Sequence, residues 1–417
     1  MSREENRKNF SKYVSQNILG MIGFSCYVLA DSYFISIAKG ADGLTALNLV
    51  MPLYSIIFSI GEMIGVGSAI RYAIGKIKKD ADADDYFWNA IIWCILSSIL
   101  FVFAGIFFSA DIMRVLGADE HIVAVGNNYT KIFMCFAPMF MCNYVTNAFV
   151  RNDGAPGIAM SATLFSSLFN IVFDYILMFP MNLGMEGAAL ATALSPIIGM
   201  GICSIHFFSK KSSVRLVVCK PSVRKLVAGS QLGVSAFVGE MSSAVITLAF
   251  NFVILKLTGN VGVAAYGVVA NIAIVTTAVF NGVAQGSQPL ISSCFGRGDR
   301  NGCTQLKRMG YITAFVLAAV MYSILFIFAG QFVAVFNSEG SEMLRLYATE
   351  GVKLYFIGIF FAGINIVGGG AFSATENAFK AAVVSVARGF VLILGAVFVM
   401  SALFGMTGVW LAYAVAE

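Results

Sequence analysis

The chain is a succession of long apolar runs separated by short polar connections. Each run holds ~20 residues or more, the length that the hydrocarbon core of a bilayer demands. The runs are Tyr13–Ile37, Leu44–Ala73, Tyr86–Ser109, Ile122–Val150, Gly157–Phe179 and Glu186–Phe208, then Leu226–Leu257, Val261–Ile291, Met309–Val335, Leu344–Phe372 and Ala381–Phe404. They are continuous rather than alternating over ~10 residues, which predicts helices and not barrel strands. A last run starts at Gly408 and reaches Glu417. As a helix it would rise about 15 Å against a core of roughly 30 Å, so a twelfth helix is expected that this sequence cuts short. The expected fold is therefore an all-α polytopic membrane protein of twelve helices, the last truncated.

Composition agrees with the pattern. The 417 residues are 59% hydrophobic and 12% charged, with a mean hydropathy of +0.83, whereas soluble proteins carry about 25% charged residues. The net charge of +5 does not call for a nucleic-acid partner, because the basic residues sit between apolar runs. Eight cysteines lie mostly inside those runs without a C-x-x-C pair and read as small buried hydrophobes. The charged start from Arg3 to Lys12 precedes an apolar run with no small-residue cleavage pattern and is expected to be a cytoplasmic tail.

Lysine and arginine set the orientation. They cluster in alternate connections: Arg3 to Lys12, Arg71 to Lys79, Lys210 to Lys225, and Arg297 to Arg308. The expectation is a cytoplasmic N-terminus in a multi-pass plasma (inner) membrane protein. The basic linker 209–225 falls at mid-chain and divides an N-terminal lobe, 1–208, from a C-terminal lobe, 226–417. Six helices per half is an even number, so both halves start on the same side. They would be parallel repeats related by an axis along the membrane normal. The linker itself is expected to be a flexible strap.

The repeat is visible in the sequence. Gly184-Met-x-Gly187-x-x-Leu190-Ala191 returns as Gly405-Met-x-Gly408-x-x-Leu411-Ala412, 221 positions later. Gly40-x-x-Gly43-x-x-Ala46 returns as Gly259-x-x-Gly262-x-x-Ala265, 219 positions later. Internal symmetry of this kind marks transporters, with the substrate path between the halves.

Four acids inside or close to the apolar runs need explaining: Asp31, Glu62, Asp174 and Glu240. A carboxylate at membrane depth is costly and ordinarily serves a pathway or an ion. Asn170 and Asp174 are four apart and share one helix face. Asp31, Asn170, Asp174 and Thr192 together would offer two carboxylates, an amide oxygen and a hydroxyl. Hard oxygen ligands suit an alkali cation such as Na+, and a close carboxylate pair can equally carry a proton. Glu62 either pairs locally or faces water. At the 221 offset Asn170 maps to Val391 and Asp174 to Gly395, so the cluster belongs to the first half alone.

These residues resemble those of the multidrug and toxic compound extrusion (MATE) transporters, of bacterial type, within the multidrug/oligosaccharidyl-lipid/polysaccharide flippase superfamily. The resemblance covers nearly the whole chain. It rests on the first-helix acid Asp31, on Asn170-x-x-x-Asp174, and on Gly187-Ala-Ala-Leu-Ala-Thr192. It rests also on Gly65-x-Gly67-x-x-x-Arg71-x-x-x-Gly75, on Gly282-x-x-Gln285-Gly286-x-Gln288-Pro289, and on Glu240. A departure is Thr375-Glu376, where the family often has Gly-Asp.

The resemblance implies two lobes around a V-shaped cavity. It also implies antiport of organic, mostly cationic, amphiphilic drugs against Na+ or H+, with no cofactor beyond that ion. Glu62, Glu240, Gln285 and Gln288 are then candidates for a substrate or second coupling site. The expected partners are small molecules and the lipid bilayer, and the expected state is a monomer. The alternative is a flippase for lipid-linked precursors, which would want a cavity rich in arginine and lysine. An enzyme is not expected: His121 and His206 lie near segment ends, and no G-x-S-x-G, H-E-x-x-H or phosphate-binding loop occurs.

Overall fold

The computed structural model describes residues 3–336 and 341–417, with Ala41 described by its backbone alone, and among them no residue is in a strand. Helix α1 is Arg3–Gly40 and α2 is Asp42–Lys78. The apolar pattern leaves a connection between Ile37 and Leu44, but helix fills it. Only Gly40, at φ 59° and ψ −142°, breaks the backbone there. A side chain pays a steric cost at positive φ that glycine does not.

Helix α3 is Asp85–Val115. Helix α4 consists of Glu120–Cys135 and Ala137–Asn152, bent by 46° just before Pro138, which lacks an amide donor. Helices α5, Pro156–Met178, and α6, Gly184–Phe207, complete the first half.

The second half repeats the plan. Val223–Gly296 is one helical run broken at Gly259, at φ 67° and ψ −156°, giving α7 (223–258) and α8 (260–296). Helix α9 is Arg300–Ile327 and α10 is Glu342–Ala374. Ala378–Ala416 breaks at Gly405, φ 58°, into α11 (378–404) and α12 (406–416). Nine of the described helices are long and apolar enough to cross a bilayer, and the bent α4 makes ten. The two glycine breaks bring the segments to twelve. The protein is a multi-pass membrane protein. Gly40 and Gly259, the 219-residue pair, thus perform the same backbone turn.

Two separate cores form. One gathers Ile35, Leu47, Ile57, Phe133, Phe149 and their neighbours from the first half. The other gathers Phe250, Tyr266, Phe280, Phe356 and Trp410 from the second. These are the two lobes. They meet where α1 and α2 pack on α7 and α8. A Cβ added to Gly67 of α2 would lie 2.0 Å from the Gly229 carbonyl oxygen of α7, and one added to Gly286 of α8 would lie 2.7 Å from Val14 Cα of α1. Gly67 and Gly286 are again 219 apart, so the lobes touch through two related backbone contacts.

Side chains fasten the same end. Arg71 Nε donates to the Ala228 carbonyl at 3.1 Å, and Arg71 also pairs with Glu376. Lys78 approaches Glu376 at 3.5 Å. Glu376 occupies the place where the sequence departs from the family pattern, and it serves as an interlobe ion-pair partner.

The linker is not a loose strap. Asp153, beyond α4, accepts from Ser213 N at 2.9 Å, Ser212 Oγ at 3.1 Å, His206 Nε2 at 2.8 Å and Tyr72 Oη at 2.9 Å. Ser213 Oγ also donates to it. The linker is docked on the N-lobe because this buried carboxylate gathers its donors. Burial raises the Asp153 carboxyl, but the hydrogen bonds from Ser213 and His206 outweigh it, so its pKa lies below the usual value.

Candidate functional site

Asp174 and Asn170 lie one turn apart on α5 and are fully buried. Thr192 faces them from α6, four residues before Pro196. Because Pro196 has no amide hydrogen, the Thr192 carbonyl is released from the helix ladder, and Ser195 Oγ donates to it at 3.0 Å. With the Asn170 amide oriented to satisfy its neighbours, its oxygen accepts from Thr192 N and Thr192 Oγ1, each at 3.2 Å. Its nitrogen then donates to Asp174 Oδ2 at 3.0 Å. Asp174 Oδ1 is left buried without a hydrogen-bond partner, as is Asp31 Oδ1 on α1.

Helix α1 packs on α5 through Phe34, whose ring lies 6.2 Å from that of Tyr175 and 6.1 Å from that of Phe179. This packing brings Asp31 within electrostatic reach of Asp174. The neutral members of the cluster satisfy one another, and the unsatisfied atoms are both carboxylate oxygens. Burying two acids with free oxygens is costly, and either a cation or a shared proton would relieve that cost.

Tyrosines surround this pair. Tyr27, one turn before Asp31, and Tyr54 and Tyr129, whose hydroxyls hydrogen-bond each other, all lie within electrostatic reach of both acids. From Tyr54 an aromatic ladder descends through Phe58, at 5.6 Å, to Phe140 and Tyr144, at 5.3 and 5.8 Å from Phe58.

That ladder opens on the space between the lobes. On the N-lobe side a cavity is lined by Tyr27, Phe58, Tyr144, Arg151, Glu62 and Glu240, among others. On the C-lobe side a second is lined by Gln288, Asn365 and Arg388, among others. The two share Glu62, Val66, Glu240 and Gln285 as a common wall. Glu62 and Glu240 thus face each other's lobes at the centre, with aromatic faces beside them. Such a surface suits a bulky cation. Gln288 Oε1 is buried and unpartnered. Among the described residues, no group of three or more His, Cys, Asp and Glu could hold a metal ion.

A sequence profile of the MatE family matches residues 17–176 and 236–399, one stretch in each lobe.

The chain belongs to the MatE family.

It is 27% identical over 412 residues to "Multidrug export protein MepA" of Staphylococcus aureus (strain MRSA252), covering 96% of this chain and 88% of that one. It is 26% identical over 408 residues to the protein of the same description in Staphylococcus saprophyticus, with the same coverages. Among solved structures it is similar to the "Outward-facing conformation of a multidrug resistance MATE family transporter of the MOP superfamily". The TM-score there is 0.92 at 20% identity, over 99% of this chain and 92% of that one. This last likeness is one of fold.

In this MatE protein the structure brings Asp31, Asn170, Asp174 and Thr192 together. It sets Glu62, Glu240, Gln285 and Gln288 apart from them, around the interlobe cavities. Glu62 is not simply water-facing: Gln285 Nε2 of the other lobe donates to it at 3.3 Å. Two arginines line these cavities, Arg151 on the N-lobe side and Arg388 on the C-lobe side. Arg151, one residue beyond the apolar run that ends at Val150, was absent from the basic residues read from the sequence. It is buried and donates to Gln285 Oε1 and, at 3.2 Å, to Asn17 Oδ1. Arg388 pairs with Glu417 at 2.8 and 2.5 Å. The tyrosine trio was also missed; the spacing of Tyr27 to Asp31, one helical turn, was the available signal.

Proposed function

We propose that this MatE protein is a secondary active multidrug exporter, a transporter and not an enzyme. It would release organic, mostly cationic amphiphiles in exchange for Na+ or H+ by alternating access. The observation that carries the reading is the pair of buried, unpartnered carboxylate oxygens of Asp31 and Asp174, set apart from an aromatic, acid-lined cavity between the lobes. The description of the MepA relatives as multidrug export proteins supports the substrate class.

In this reading the N-lobe, 1–208, holds the coupling cluster. The C-lobe, 226–417, supplies Glu240, Gln285 and Gln288 to the substrate cavity, and 209–225 joins them. The coupling ion is cargo: it neutralises Asp31 and Asp174, the lobe repacks, and the cavity yields its drug. The N-terminus lies in the cytoplasm of a cell whose inner membrane holds the protein as a monomer.

The alternative, a lipid-linked precursor flippase, needs basic groups free to hold a pyrophosphate. Arg388 is bound by Glu417 on two nitrogens, and Arg151 is shared between two amide oxygens. Efflux of a cationic dye from proteoliposomes under separate Na+ and pH gradients tests the proposal. Export driven by one gradient supports it, and no gradient-driven export of any cationic dye refutes it.

A further inference from the structure

We propose that the groove between the first turns of α1 and the start of α9 binds an anionic phospholipid, phosphate at the groove and acyl chains along α9. Helix α1 has 38 residues, about 57 Å of helix, roughly twice the hydrocarbon core. Its first turns therefore stand at the membrane surface. Arg3 and Arg7, one turn apart, share a face there, and with Arg308 of α9 they line one groove. Gln305 builds it: its Nε2 donates to the Arg3 carbonyl at 3.0 Å, and its Oε1 accepts from Asn6 Nδ2 at 3.3 Å.

Three features single out this groove. First, three lysines on this end are held by carboxylates, Lys76 by Asp84, Lys78 by Glu376 and Lys225 by Asp85. Arg3, Arg7 and Arg308 have no carboxylate within 4.0 Å among the described residues. Second, Glu4 is the groove's one acidic member against those three arginines, which leaves a net charge complementary to a phosphate. The planar guanidinium matches phosphate oxygens two at a time, and basic pockets between helices at the membrane surface hold anionic head groups. Third, an apolar stripe leads away from it along α9. Ile312, Phe315 and Val316 follow Arg308 at helical spacing and are each about half exposed, a track for the acyl chains.

The test uses the purified full chain in neutral detergent. Fluorescent phosphatidylglycerol and phosphatidylcholine are titrated against wild type, Arg308→Gln, and the triple Arg3→Gln/Arg7→Gln/Arg308→Gln. The control triple is Lys210→Gln/Lys211→Gln/Lys220→Gln, which removes equal charge from the exposed linker. Phosphatidylglycerol affinity is expected to fall about fivefold per arginine removed and about a hundredfold in the triple, the worth of basic residues at an anionic surface. The linker variant and phosphatidylcholine should show no such change. Arg308→Gln breaks no interhelical bond, so its melting curve in lipid-free detergent should match wild type. Equal affinity of wild type for the two lipids, or an equal loss in the linker variant, overturns the proposal. So does displacement of the lipid by an equal concentration of soluble glycerol phosphate, which would make the groove an ion site.

Discussion

Asn170 of α5 accepts from Thr192 of α6 at 3.2 Å and donates to Asp174 at 3.0 Å, while one oxygen each of Asp174 and Asp31 stays buried without a partner. The two neutral residues position Asp174; the acids carry the charge. Asn170→Ala should therefore weaken coupled efflux without abolishing it. The expected loss is about fivefold, the scale of one buried hydrogen bond at ~1 kcal/mol, and Thr192→Ala should be similar. Efflux rate against driving-ion concentration is the measurement. Activities indistinguishable from a lipid-facing control such as Phe165→Ala would remove both from the site.

Asp31→Asn and Asp174→Asn keep the shape and remove the charge. Each is expected to lower gradient-driven efflux by about tenfold or more, the range of a lost site-to-site coupling free energy, with expression unchanged. Downhill equilibration of the dye should persist. Wild-type efflux in both variants would dismiss the cluster as the coupling site.

Glu376 ties the lobes at the end where α1 and α2 meet α7 and α8. Its ion pair with Arg71 is about a quarter exposed on each side, so solvent screens it. Glu376→Gln should shift the balance of lobe positions toward opening at that end by two- to fivefold, for an interaction of about 0.5–1 kcal/mol. Spin-label distances across that end would report the shift, and an unchanged distribution would show that the pair does not hold the lobes.

Gly67→Leu makes a larger demand. Even a Cβ would sit 2.0 Å from a backbone oxygen of α7, and backbone cannot step aside as a flexible side chain can. Overpacking of this kind costs about 1–3 kcal/mol, paid only in the conformation described here. The variant should favour the opposite lobe arrangement. Gly286→Leu, its partner at the 219 offset, should behave alike. If only one of the two does so, the interface is not symmetric in energy.

The linker should respond to acid. Hydrogen bonds hold the Asp153 carboxyl below its usual pKa, so its contribution is present above the unfolded value and is lost as pH falls through the folded one. A dye on Lys211→Cys should report a linker that is immobile at neutral pH and released only below the ordinary carboxylate range. Asp153→Asn should release it at pH 7, raising tryptic cleavage at Lys210 by about tenfold or more, since hydrogen bonds to a charged group contribute ~1.5–3 kcal/mol. Equal cleavage rates in wild type and variant would show that the docking does not depend on Asp153.

The sequence by itself determined the class, the number of segments, the repeat and the acids that lie inside apolar runs. Hydropathy and helical spacing are local properties, and a carboxylate inside an apolar run is conspicuous without knowing its neighbours. The two 219-offset glycine breaks were legible for the same reason: a turn at positive φ needs glycine at one position, whatever surrounds it. Only the tertiary structure decided which acids share a site. Asp31 and Asp174 stand 143 residues apart, and their convergence depends on how α1 packs on α5. Nothing local distinguishes them from Glu62, which lies instead against Gln285 of the other lobe. Arg151 escaped notice because a charge at the edge of an apolar run looks like an ordinary membrane boundary. Its burial exists only because Asn17 of α1 and Gln285 of α8 close over it. The linker's docking likewise rests on Asp153, a residue whose donors come from Tyr72, His206 and the linker itself, and no run of sequence places those three beside one carboxylate.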